Sequence, residues 1–166
     1  MRRFIFSLVL LLGVIMYIPT YSETDDFSQT EQISTHSIGI KIVNNAMNYL
    51  GLPYKWGAVG PKSFDCSGFM MWLFKQEGIK ISRTSRQQYY NGTPVERTEL
   101  KPGDLIFFAR NKSPKSIYHV GMVVEEDSTG NNKFIHSTRG GVKISSLTGH
   151  YSKKYFAARR IISSQG

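Results

Sequence analysis

An α+β fold, with N-terminal helices packed on one face of an antiparallel sheet, is the architecture this sequence predicts. Two observations carry it. Apolar residues recur at helical spacing between positions 37 and 78, and after position 101 the pattern changes to short β-branched and aromatic runs separated by Gly, Asn and Ser. Helices first and an antiparallel meander second is the order expected of this class.

Ser37 is placed to cap a first helix, in which Ile42, Val43, Ala46, Met47 and Leu50 mark one face and Gly51 is the stop. A glycine- and proline-rich loop then runs from Gly51 to Phe64. The second helix starts at Asp65-Cys66 and ends at Gly78. Its stripe Cys66, Phe69, Met70, Leu73 follows i, i+3, i+4, i+7, so the cysteine tops the core-facing side. A polar helical turn over Ser85–Tyr90 closes at Asn91-Gly92. Lys101-Pro102-Gly103-Asp104 reads as a turn into a strand at Leu105–Phe108. His119–Val124, Lys133–Ser137 and Val142–Ile144 are further strands, and Tyr155–Ile162 is a last strand that closes the sheet.

The chain has 166 residues, which suits one domain plus a short appendage. With 40% hydrophobic and 20% charged residues it is neither wholly disordered, nor collagen-like, nor a polytopic membrane protein. Arg2 and Arg3 precede an uncharged run from Phe4 to Ile18 and a small residue at Ser22, the pattern of a cleaved secretory signal over 1–22. The run is short for a spanning helix, which needs about twenty apolar residues. A signal kept as an N-terminal anchor is the alternative. No cysteine lies near the expected cut, so no lipid-modified N-terminal cysteine is expected.

Residues 23–36 hold Glu23, Asp25, Asp26 and Glu31 without Lys or Arg, an acidic flexible lead-in. The remaining 37–166 carry 19 basic and 8 acidic residues, more basic than the whole-chain charge of +9. Export turns that charge away from intracellular nucleic acid and towards an anionic cell envelope. A solvated basic surface without a specific ligand is the other reading.

Cys66 is the single cysteine, so it has no disulfide partner within the chain. It stands in Phe64-Asp65-Cys66-Ser67-Gly68, where a loop enters a helix. Helix N-termini and nearby cations can lower a thiol pKa, and the Cys66 and Ser67 amides point where an oxyanion would form. A buried small hydrophobe is the competing role. A thiol nucleophile wants a histidine base, and the base wants an orienting acceptor. His36 lies in the acidic lead-in and His150 in a polar loop. His119 begins one strand and His136 ends the next. Pairing of those strands around Glu125–Asn132 admits a register that sets the two opposite each other, with Cβ atoms about 4.5–5.5 Å apart, although the loop also allows other registers. No H-E-x-x-H, close Cys pair or short-spaced His pair is present, so no metal site is expected. The glycines at 57–60 are not followed by the G-K-[ST] of a phosphate loop.

Six segments, Tyr49–Gly57, Phe64–Phe69, Ile81–Gln87, Leu100–Phe108, His119–Val123 and Phe134–Ser137, together resemble the NlpC family of exported bacterial cell-wall cysteine peptidases. The resemblance covers about 38–162 and is most like the compact Spr-type murein endopeptidases. It implies a papain-like NlpC-type fold over 37–166 and hydrolysis of peptide bonds in peptidoglycan stem peptides by a monomer without cofactor. Cys66 then matches the nucleophile, His119 the general base and His136 the orienting third residue. Tyr54 matches a tyrosine that helps the oxyanion site. Asp65, Ser67 and Arg83 match positions that line the pocket for stem-peptide termini or carboxylates, with capping and local turn bonding as their alternative roles. Many relatives carry an extra wall-binding domain, for which 166 residues leave no room, so targeting is expected of the catalytic domain itself. A free periplasmic or extracellular enzyme follows, with no stable membrane anchor and no nucleic-acid partner. A catalytically idle wall-binding domain is the rival from another class. A papain-like amidase or acyltransferase on a different substrate is the rival within catalysis.

Overall fold

Residues 38–126 and 130–162 are described by the computed structural model of the chain. The export segment over 1–22, the lead-in over 23–36 and the capping Ser37 lie outside them. Helix α1 covers 38–47 and buries Ile42, Val43 and Ala46, as the periodicity requires. It loosens into turns before reaching Gly51. Helix α2 is Cys66–Gln76, and its buried residues include Cys66, Phe69, Met70 and Leu73. It ends two residues before Gly78, which takes φ +73°. Thr84 caps the short α3, Ser85–Gln88, through its side chain to the Gln87 amide.

Strands β1 (Thr93–Val95), β2 (Leu105–Ala109), β3 (Ile117–Glu126), β4 (Asn132–Thr138), β5 (Gly141–Ser146) and β6 (Tyr155–Arg160) form one sheet in the order β1-β6-β2-β3-β4-β5. Every neighbouring pair is antiparallel. β2 to β5 make the expected meander, and β6 returns to pair with β2 rather than extending past β5. In no case does the residue pattern of β2 alternate: Leu-Ile-Phe-Phe-Ala is buried at all five positions. The reason is a core on each face of the sheet. On one face Leu105, Phe107, Val120, Met122 and Ile135 pack with Ile42, Phe69, Leu73 and other residues of α1 and α2. On the other, Ile106, Phe108, Val123 and Phe134 cluster with Leu147 and Ala158 under Tyr151 and Tyr155.

Two elements were not foreseen. β1 is three residues long and contains Pro94, which cannot donate a ladder hydrogen bond and so suits this edge position. Helix α4, Gly149–Lys154, has no capping side chain and no fully buried residue, so the polar loop expected around His150 is instead about one and a half helical turns, with Tyr151 packed on the second core. No helix among the described residues is long and apolar enough to cross a membrane.

Candidate active site

The loop before α2 is stitched to the start of that helix, where Cys66 stands, by its own backbone. Phe64 N–H donates to Pro53 O at 3.2 Å, Lys55 N–H to Phe64 O at 3.1 Å, and Asp65 N–H to Ala58 O at 3.0 Å. Ser137 on β4 adds a hydroxyl bond to Phe64 O at 2.9 Å. A Cβ on Gly68 would collide with the Ala58 carbonyl oxygen, so only glycine lets the first turn of α2 lie this close to the loop.

Asp65 is the N-cap of α2 and is nearly buried, at 5% exposed. One carboxylate oxygen accepts from Gly68 N–H at 2.7 Å, Ser67 Oγ at 3.2 Å and Arg83 Nη1 at 3.1 Å. The other accepts from Gly57 N–H at 2.9 Å and from Arg83 Nη2. Burial works to raise this carboxyl, but the Arg83 fork and the Gly68 and Gly57 amides outweigh it and hold the pKa below its ordinary value. Arg83 also reaches Ser67 Oγ at 3.1 Å. Asp65, Ser67 and Arg83 thus come together beside Cys66, but their hydrogen bonds are spent mainly on one another.

Cys66 is 8% exposed and borders the helix-side core. Burial, then the Asp65 charge, push its thiol up from the ordinary value, against the opposing pull of the Val120, Ser67 and Cys66 amides that favour the thiolate. The helix N-terminus alone leads to the opposite expectation. The N-cap carboxylate and the lost water are what reverse it. The Val120 amide beside the sulfur belongs to the residue that follows His119, and this ties β3 to the start of α2.

His119 and His136 meet along a diagonal of the β3–β4 pair, with Nε2 of His119 2.7 Å from Nδ1 of His136. The register Met122↔Ile135, carried one step on, sets Gly121 rather than His119 opposite His136. Diagonal neighbours in an antiparallel pair lie farther apart at Cβ but within reach of ring side chains. Gly121 makes room for this: a Cβ there would stand 2.6 Å from Phe134 Cδ2 and 3.2 Å from His136 Cβ. Beyond His136, its Nε2 lies 2.9 Å from Ser145 Oγ on β5. If His119 is to accept a proton at Nδ1, its Nε2–H donates to His136 Nδ1 and His136 Nε2–H donates to Ser145. One tautomer serves the whole row. Burial depresses His119 to about 4. Burial, then the facing charges of His119 and Lys143, depress His136 to about 2. Both rings are therefore neutral near pH 7.

Tyr54 is half-buried and bridges to Phe64 in parallel. Burial and the charges of Cys66 and Asp65 raise its hydroxyl pKa, while Arg139 opposes them, so all three groups lie in electrostatic reach of that oxygen. The sequence reading missed Ser145, Gln88, Arg139 and Lys143. Gln88 is fully buried and its Nε2 donates to Ser67 O at 2.9 Å and Ser82 O at 2.8 Å, tying the first turn of α2 to the Arg83 loop. A lone glutamine in a polar turn carries no signal of this. Ser145 and Lys143 follow from the β4–β5 register, which sets His136 opposite Lys143. His36 is outside the described residues, and His150 is exposed on α4. Among the described residues no three His, Cys, Asp or Glu side chains are grouped to hold a metal ion.

Residues 51–160 match the model of the NlpC/P60 family. The gamma-D-glutamyl-L-lysine dipeptidyl-peptidase of Bacillus cereus (strain ATCC 10987 / NRS 248) is 40% identical over 124 residues, 73% of this chain and 36% of that protein. The murein DD-endopeptidase MepH of Escherichia coli (strain K12) is 40% identical over 127 residues, 72% of this chain and 45% of MepH. The chain thus spans less than half the length of these relatives. The crystal structure of an NlpC/P60 family protein from Bacillus cereus ATCC 10987 superposes with a TM-score of 0.67 at 38% identity, over 74% of this chain and 39% of that one. A family match over residues 51–160, joined to an antiparallel sheet and helices that superpose on a solved member, means that this chain belongs to the NlpC/P60 family.

Proposed function

We propose that the chain is an exported cysteine endopeptidase that hydrolyses peptide bonds in peptidoglycan stem peptides. The observation that carries it is the His119–His136–Ser145 row, with its 2.7 Å ring-to-ring bond, on a strand whose next residue, Val120, turns its amide to the buried Cys66 thiol at a helix N-terminus. The substrate class rests on the names of the relatives, a γ-D-glutamyl peptidase and a murein endopeptidase.

The resting pair is thiol and neutral imidazole. His119 Nδ1 takes the Cys66 proton as the sulfur attacks the scissile carbonyl, so general-base transfer accompanies attack. The S–C bond forms, and the oxyanion is met by the amides that face the sulfur and by the Tyr54 hydroxyl. The C–N bond then breaks and the amine leaves with the proton from His119. Water, deprotonated by the same ring, cleaves the thioester and restores the thiol. His136, fixed by Ser145, keeps the His119 ring turned for each step and accepts its Nε2–H. The neutral resting pair suits a buried site, because a separated thiolate and imidazolium would both lack solvation there.

The test is mass spectrometry of purified peptidoglycan incubated with the chain or with Cys66→Ala. Products that depend on Cys66 and carry new stem-peptide ends are expected, and their masses identify the bond. Undigested wall with both proteins, each folded by circular dichroism, would overturn the assignment and favour an idle wall-binding domain.

A further inference from the structure

Near Tyr54 the charge available to a ligand is positive. Asp65, the carboxylate in reach of the Tyr54 hydroxyl, is saturated by Gly57, Ser67, Gly68 and Arg83. The Arg83 guanidinium is spent on the same carboxylate. Arg139 is different. It sits exposed in the turn between β4 and β5, three residues after His136, and among the described residues its side chain makes no ion pair or hydrogen bond.

The backbone holds this turn against the Tyr54 loop. Val142 N–H donates to Leu52 O and Gly51 N–H donates to Val142 O, each at 2.9 Å. A Cβ on Gly141, whose φ is +90°, would stand 2.9 Å from Leu52 O, so the two segments touch closely. Within the turn, Thr138 Oγ1 accepts from Gly140 N–H at 3.2 Å and donates to Gly141 O at 3.4 Å. A braced turn therefore carries an unpaired guanidinium to the side of the site where Tyr54 stands. Lys143, directly across the ladder from His136 and exposed, adds a positive charge that reaches the His136 ring.

We propose that Arg139 is a specificity residue that binds a free carboxylate of the substrate next to the scissile bond, with Lys143 adding to the positive field. The inference rests on the peptidase reading above and names what that site selects. Substrate chemistry supplies the group. A γ-glutamyl bond is made through the side-chain carboxyl and leaves that glutamate's α-carboxylate free. Where the residue on the amine side is the last of the peptide, it brings a carboxylate of its own. A guanidinium grips either through two parallel N–H···O bonds, which an amide of the same shape does not offer. Amidated and free stem peptides are then different substrates for this chain.

The experiment uses three forms of L-Ala-γ-D-Glu-L-Lys: unmodified, amidated at the glutamate α-carboxyl, and amidated at the lysine carboxyl. The ratio of kcat/KM for the free over an amidated form reads the preference, and the two amidated arms tell which carboxylate is bound. The chain is expected to favour the free form by about tenfold in one arm, the scale of a solvent-facing charge-assisted pair. In Arg139→Ala the ratio falls to about 1, and in Arg139→Glu it drops below 1. Lys75→Ala, the same loss of charge at the far end of α2, keeps the ratio of the unaltered chain. Calorimetric binding of the three peptides to the Cys66→Ala chain repeats the comparison without turnover. Absent hydrolysis with the binding preference intact would sink the peptidase and leave the carboxylate site standing. An equal loss on all three peptides, or a preference that survives Arg139→Glu in binding, overturns the proposal.

Discussion

Asp65 and Arg83 form a forked ion pair whose carboxylate also caps the helix that presents Cys66. One acid thereby fixes the helix start, the Gly57 loop and the arginine together. Removing the arginine strands a nearly buried carboxylate. Arg83→Ala is expected to cost about 2 kcal/mol at pH 7, the modest end for a broken pair because the guanidinium is 35% exposed and screened by water. The sign with pH is fixed. The depressed Asp65 carboxyl contributes stability above about pH 4, its unfolded value, and loses it as pH falls through the folded value. Urea unfolding at pH 7 and pH 3 checks this: the gap between the two proteins should narrow in acid. A gap that widens contradicts it.

The pH dependence of hydrolysis carries a second expectation. A solvated histidine loses its base form near pH 6.5, whereas burial holds His119 to about 4. The acid limb of kcat/KM should therefore fall near pH 4, with His136 neutral throughout. Folding stability follows the same sign, being fully present above pH 6.5 and lost as pH falls through the folded value. An acid limb near 6.5 would mean that His119 is not the base in this protonation state.

Ser145 gives a graded test of the row. Ser145→Ala leaves the buried Nε2 of His136 without its 2.9 Å partner and releases the choice of tautomer. The kcat should drop by roughly 3- to 10-fold with little change in KM, since orientation and not binding is lost. His136→Ala should lose roughly a hundredfold, and Cys66→Ala or His119→Ala all measurable turnover. A Ser145→Ala enzyme with unchanged kcat would remove Ser145 from the row.

Two glycines make steric predictions. Gly68→Ala sets a methyl against the Ala58 carbonyl and should cost about 3 kcal/mol or more by thermal or urea unfolding. Gly121→Ala presses on Phe134 and on His136, at 2.6 Å and 3.2 Å. It should lower kcat more than its effect on stability alone explains, because the ring that orients His119 must shift. Equal stability with unaltered kcat in Gly121→Ala would show that the sheet relaxes around the methyl.

The parts legible in the sequence are those where one residue's neighbours decide its role. The α2 stripe, the apolar run of β2 and the Asp65-Cys66 helix start each rest on local spacing and reappear as expected. The two histidines were recognisable as a pair, but their diagonal meeting depends on register, which the bulge between Val123 and Glu125 and the missing side chain at Gly121 help to set. Arg139 and Gln88 were invisible for a further reason. Nothing near Arg139 in sequence announces that Leu52 will pair with its turn, and Gln88 owes its role to carbonyls 21 and 6 residues away. β1 and α4 escaped because elements this short bury too few residues to impose a pattern.

The Ser137 hydroxyl reaches Phe64 O across 73 positions of chain, and this has a bearing on when the molecule first becomes competent. A nascent fragment that ends before β4 contains Cys66 and His119 yet lacks both His136 and the bond that seats the loop before α2. Contacts so distant along the chain close late in folding, after the entropy of a long loop has been overcome. If the peptidase reading holds, hydrolytic competence arrives with the completed sheet, so the order of folding itself acts as a delay.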